Sequence, residues 1–147
     1  MSWIAITTED LLGKLTAPEM AAVKTVALDP SQQDPVPDAI DRVTKEVRGY
    51  VAACIKNKVG PIGTIPDELV DAAMAMCVVR VCLRLPTKVV LTEGRLEANR
   101  QAIRLLERTA ACQFELEQPE EVSEQQFSTY NITYSGRTPK WNDQDGI

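Results

Sequence analysis

The feature that most constrains this chain is the stretch from Leu69 to Leu85. Its only breaks in apolar character are Asp71, Arg80 and Arg84. It is bracketed by Pro66 and Pro86, and Asp67-Glu68 supply the acids favoured in a first helical turn. A helix that is apolar on nearly every face must be covered on most sides. It is too interrupted to span a bilayer, which takes about 18–20 apolar residues. It is therefore either the central helix of a bundle or a helix that faces a partner subunit. In 147 residues, a length of about one domain, the expectation is that its own bundle is too small to hide it. That favours a subunit packed beside identical subunits.

The remaining elements are punctuated by proline and by helix caps. Thr7 and Thr8 followed by Glu9-Asp10 predict a short helix over Thr8 to Leu15. Thr16-Ala17-Pro18-Glu19 opens a second that ends near Leu28. A Pro/Asp loop runs from Asp29 to Pro37. From Pro37-Asp38, apolar Val36, Ile40, Val43, Val47, Tyr50 or Val51, and Cys54 recur at spacings of three and four, which predicts an amphipathic helix of about 20 residues. Gly49 inside it is expected to mark close approach to a neighbour. Lys58 to Pro66 is a Gly/Pro loop. Thr92-Glu93 caps a last helix to about Ala111, with Leu96, Ile103, Leu106 and Ala110 as its inner stripe. After Cys112 the chain turns acidic, with Glu115, Glu117, Glu120, Glu121 and Glu124 and no basic residue from Phe114 to Gln126. Phe127 to Tyr134 then has the aromatic and β-branched content of a strand. The expected fold is mainly α: a small antiparallel bundle of four to five helices over residues 1–112. An extended arm, 113–147, holds a short strand or hairpin and is either disordered or ordered on a partner.

The chain contains no histidine, which excludes Ser-His-Asp and Cys-His hydrolases and any His-bearing zinc site. A net charge of −5 argues against a general nucleic-acid binder. No phosphate-binding loop or dinucleotide fingerprint is present. The carboxylate pairs Asp38/Asp41, Glu120/Glu121 and Asp143/Asp145 lie at helix starts or in polar segments. The expectation is a protein that is not an enzyme and takes neither cofactor nor metal. Cys54, Cys77, Cys82 and Cys112 show no metal spacing. Met1-Ser2-Trp3-Ile4 has no signal-peptide character, so a cytosol-like compartment is expected and all four cysteines read as core thiols rather than a disulfide framework.

Recognition candidates are arginines and tail aromatics. Arg100, Arg104 and Arg108 form an i, i+4, i+8 row. A solvated face paired with Glu97 and Glu107 is the favoured reading, subunit contact the next, nucleic acid the least. Arg80 and Arg84 must snorkel or find carboxylates. Either they mark the exposed edge of the apolar helix or they pair with acids of a neighbouring subunit. In the arm, Phe127, Tyr130, Ile132, Tyr134 and Trp141 are candidate interface residues.

Several segments together resemble a known family. They are Trp3-Ile4 with Ile6-Thr7 and Asp10-Leu11, then Ala39-Ile40 with Val43 and Glu46-Val47-Arg48-Gly49-Tyr50-Val51, a Gly-Pro loop, and Ile65-Pro66-Asp67-Glu68-Leu69 before an Ala-rich helix. In this order they resemble the small helical head–tail connector (adaptor or head-completion) proteins of tailed bacteriophages, over roughly residues 3 to 110. The resemblance implies a non-enzymatic virion protein of the neck, present in host cytoplasm during assembly. It implies a homo-oligomeric ring, commonly a dodecamer, below the portal protein. Such a ring extends the DNA channel, lets DNA pass without reading its sequence, and docks the tail or a stopper. No membrane is involved. The rival reading from another class is a small helical DNA-binding regulator, which would need a basic recognition helix after a tight turn.

Overall fold

The computed structural model describes residues 3–28, 31, 33–85 and 91–120. Five helices carry the fold among these residues: α1 (Thr8–Leu12), α2 (Ala17–Ala27), α3 (Pro35–Ala53), α4 (Val70–Arg84) and α5 (Glu93–Ala110). Two short strands, β1 (Trp3–Ile4) and β2 (Ile65–Pro66), pair antiparallel with Trp3 opposite Pro66 and Ile4 opposite Ile65. The mainly helical bundle is as expected. The strand pair is not: a two-residue strand leaves no alternating pattern to read. The strand expected at Phe127–Tyr134, with Tyr130, Ile132 and Trp141, lies outside the described residues.

Local sequence sets the helix starts. Thr7 and Asp10 cap α1 reciprocally, the Thr7 hydroxyl accepting from the Asp10 N–H at 3.2 Å and the Asp10 carboxylate from the Thr7 N–H at 3.0 Å. The helix ends at Leu12, three residues earlier than expected, because Gly13 caps it and Thr16 must be extended to start α2. The Glu19 carboxylate accepts from the Thr16 N–H at 2.8 Å. The start of α3 is Pro35, not Pro37: Asp34 accepts from the Val36 N–H at 3.0 Å. Both prolines fall in the first turn, where helix N–H groups have no intrahelical partner anyway.

The central helix is α4. It packs on α3, α5 and α1 and buries Ala72, Ala73, Met74, Met76, Cys77, Val78, Val79, Val81 and Cys82. This overturns the expectation that the bundle is too small to hide it; of the two readings of this helix, the central one holds. Val36, Val43, Val47 and Val51 of α3, Leu11 of α1, Leu106 of α5, and Ile65 and Leu69 at the entry to α4 supply the cover. The only large apolar side chain that α4 leaves exposed is Leu83, at 67%.

Two details of register differ from expectation. In α5 the deepest residues are Ala102, Leu106 and Thr109, while Leu96, Ile103 and Ala110 are half-buried. Small residues let α5 approach α4 closely, and the Thr109 hydroxyl is satisfied by donating to the Leu105 carbonyl at 2.9 Å. Gly49 is exposed, and a Cβ there would meet nothing within 4 Å. The close approach occurs at Gly60 instead, where a Cβ would lie 2.7 Å from the Trp3 ring.

The cysteines divide. Cys77 and Cys82 are buried free thiols, as expected. Cys54 and Cys112 are joined in a disulfide across 58 residues of sequence, with Cα atoms 5.3 Å apart. This contradicts the reading of all four as core thiols. Both sit just past helix ends, Cys54 after α3 and Cys112 after α5, and the antiparallel packing that brings those ends together leaves no mark in their spacing. Beyond Cys112 the chain runs back along the body. Leu116 is buried, Phe114 packs on the core, and the Gln118 side-chain Oε1 accepts from the Lys58 N–H at 2.7 Å while the Glu68 carboxylate accepts from the Glu117 N–H at 2.9 Å. Among the described residues, no helix is long and apolar enough to cross a membrane.

Candidate functional site: the arginine-bearing faces

Apart from the exposed Leu28, Ile55, Ile62 and Leu83, the described surface is dominated by polar and charged side chains. On the face shared by α3 and α4, Arg80 is ion-paired with Glu46. Arg84 reaches Asp38 at 3.0 Å and the Gln33 carbonyl at 3.4 Å. Asp38 also pairs with Arg42 at 3.1 Å, so one carboxylate serves two guanidinium groups. Gln33, Asp38, Arg42, Arg80, Leu83 and Arg84 line an open groove of about 480 Å³, with Glu46 held beside it by Arg80. Three guanidiniums face two carboxylates there. Arg80 and Arg84 thus lie along the partly exposed edge of α4, and within the chain each finds a carboxylate on α3. The helix pairing places Asp38 and Glu46 beside them without help. Each pair is half in solvent and contributes at most about 1 kcal/mol.

The α5 row is uneven. Arg100 pairs with Glu97 at 2.9 Å and Glu93 at 3.5 Å. The Arg100 guanidinium beside it holds the Glu97 carboxyl below its ordinary range. Arg104 and Arg108 are exposed and make no ion pair with any described residue, so the Glu107 partner that the spacing suggested is not engaged. The row and the α3/α4 groove are separate features on different helices.

Two arginines that sequence reasoning did not single out do more structural work. Arg95 of α5 donates to Glu19 of α2 through Nη1 at 2.5 Å and Nη2 at 2.8 Å. The pair is largely buried, with side chains 19% and 11% exposed. The Arg95 hydrogen bonds hold the Glu19 carboxyl down at about 2, helped by the Thr16 N–H and opposed by burial. The signal Thr16-x-x-Glu19 announces a capping box, but nothing in the sequence points across 76 residues to Arg95. Arg48 of α3 donates to the carbonyls of Pro61 at 2.7 Å, Thr64 at 2.7 Å and Gly60 at 3.0 Å. Its guanidinium also lies 5.7 Å from the centre of the Trp3 ring. It thus ties the Gly/Pro loop and the N-terminal strand to the bundle. The run Glu46-Val47-Arg48-Gly49-Tyr50 reads only as the polar face of a helix until the loop is folded beside it.

Among the described residues, the carboxyls of Asp10, Glu19 and Glu97 are shifted down by hydrogen bonds. Burial pushes the Cys77 thiol up to about 12 and raises Cys82 as well, which suppresses the thiolate form. Among the described residues, no cluster of three or more potential metal ligands occurs. A second depression of about 290 Å³, lined by Met74, Ala75, Val78 and Ala98 with Lys14 and Arg95 at its rim, lies between α4 and α5.

A family model described as Bacteriophage Mu, Gp36 matches residues 6–131. No curated protein and no solved structure matches the chain. The matched span takes in all five helices and the start of the arm, so the chain belongs to the bacteriophage Mu Gp36 family.

Proposed function

We propose that this phage protein is a head–tail adaptor. It acts as a structural subunit of the virion neck that forms a ring under the portal, extends the DNA channel and docks the tail or a stopper protein. It acts by contact and not by catalysis, needs no cofactor, and is assembled in the host cytoplasm. The observation that carries the reading is the overlap of two independent spans: the phage-family match over residues 6–131 and the connector-like order of segments from Trp3 to the end of α5. The body is consistent with that role. Its core is closed within one chain, and its surface offers arginine-bearing faces on α3, α4 and α5, the kind of surface that fixes register between copies more than it drives folding. Heterologous contacts between such faces close into rings when the rotation per copy permits.

The test is sedimentation velocity of the full-length chain with the purified portal protein of the same phage. The proposal predicts a stable complex carrying many copies of the chain per portal. Absence of any complex contradicts it. Binding to duplex DNA that falls steeply with salt, in the absence of portal binding, would favour the regulator reading instead.

A further inference from the structure

The α3/α4 groove is charged but under-neutralised. Arg42 and Arg84 share the single carboxylate of Asp38, Arg80 takes Glu46, and Leu83 is exposed at the lip. The complementary chemistry exists in the same sequence. From Glu120 the chain reads Glu-Glu-Val-Ser-Glu, with three carboxylates around one apolar Val122 and no basic residue from Phe114 to Gln126. We propose that the groove is the receptor for residues 120–124 of a second copy of this chain, so that each subunit's acidic segment docks on the arginines of its neighbour.

Reach argues for a second copy over the chain's own segment. The arm is tied down at Gln118, which bonds to Lys58 and Asn57 beyond the C-terminal end of α3. Asp38 and Arg84 lie at the opposite end of that helix. From Ala53 back to Asp38 is about 22 Å at 1.5 Å per residue. From Gln118 to Glu121 the chain spans at most about 10 Å. The chain's own Glu120 and Glu121 therefore fall short of the Asp38–Arg84 end of the groove, and its Glu124, at most about 20 Å from Gln118, approaches that end only with the segment fully extended, whereas all three carboxylates of a copy placed alongside reach it without that constraint. Such a contact joins two different surfaces, the heterologous type that a ring requires. The inference thus rests on the adaptor reading and deepens it.

Three full-length variants test this: Arg42→Glu with Arg84→Glu in the groove, Glu120→Lys with Glu121→Lys and Glu124→Lys in the arm, and all five changes together. The groove positions are exposed, and the arm positions lie outside every helix described. Melting followed by circular dichroism at 222 nm confirms that each variant folds. Assembly is read by sedimentation velocity with and without the portal. The proposal predicts that either reversal alone weakens copy–copy assembly by about tenfold or more, and that the combined variant recovers most of the loss.

Rings indifferent to both reversals would overturn the contact and leave the adaptor reading standing. A chain that stays monomeric with and without portal would overturn both. A groove reversal that weakens portal binding with no effect from the arm reversal would assign the groove to the portal and overturn the inference. Arm and groove changes that alter the monomer's stability together, without altering assembly, would place the segment on its own chain and overturn it as well.

Discussion

Replacing Glu19 by Gln removes the one largely buried charge pair described, and the structure sets the size of the effect. The Glu19 carboxylate accepts from both Arg95 nitrogens and from the Thr16 N–H, which lowers its pKa from 4.5 to about 2. At roughly 1.4 kcal/mol per pH unit, that difference corresponds to about 3 kcal/mol of stability. Some solvent reaches the Arg95 side, so about 2–3 kcal/mol is the expected range. Because the folded pKa is depressed, this contribution is complete above the unfolded value near 4.5 and is lost as pH falls toward 2. Urea unfolding followed at 222 nm, at pH 6 and at steps down to pH 2, should show the native chain losing about 2–3 kcal/mol more than Glu19→Gln over that window. At pH 6 the variant should itself be less stable by at least about 2 kcal/mol, since Arg95 keeps a charge whose partner is neutral. Parallel pH profiles for the two proteins, or a cost at pH 6 below about 0.5 kcal/mol, would refute the assignment of Arg95–Glu19 as the clasp between α2 and α5.

Other consequences are as direct. Gly60→Ala puts a methyl group 2.7 Å from the Trp3 ring and should cost about 1–3 kcal/mol in urea unfolding, whereas Gly49→Ala, open on all sides within 4 Å, should stabilise the chain by up to about 1 kcal/mol. Cys54→Ser with Cys112→Ser removes a crosslink over 58 residues and should lower stability by about 4 kcal/mol on chain entropy; free-thiol titration of the unfolded native chain should find two reactive groups without reductant and four with it. Arg48→Ala removes the guanidinium from the Gly60 and Thr64 carbonyls and leaves Pro61 only its Thr64 donors, and should cost about 2–4 kcal/mol, with amide exchange rising first across residues 60–65 and in β1.

What the sequence made legible was local. The Thr7/Asp10 and Thr16/Glu19 caps, the 3.6-residue rhythm of α3 and the Pro66 and Pro86 brackets around α4 each depend on residues within a turn or two of one another. Burial of α4 was legible as well, because no face of it could be left wet. Its cover was not, since that depends on how α1, α3 and α5 fold around it, and the valines of α3 and Leu106 proved sufficient within one chain. The α5 stripe was misread for a related reason: hydrophobicity pointed to Ile103, whereas close packing selected the small Ala102 and Thr109. The Cys54–Cys112 bridge, the Arg95–Glu19 pair and the Arg48 clamp all join residues far apart in sequence, and no spacing rule reaches them. Arg80 and Arg84 show the limit from the other side. Their need for carboxylates was evident from the apolar run around them, but the identity of the acceptors, Glu46 and Asp38, follows only from the α3/α4 pairing.

The central claim is that this member of the phage family closes its own core and then builds a ring with its charged faces. Electron cryomicroscopy of the full-length chain mixed with its portal tests it most directly. The account predicts a closed ring of copies stacked coaxially on the portal, continuing its channel, with helices α3 and α4 of each copy against the next. Particles showing bare portals, or single copies bound with no contact between neighbours, would contradict it.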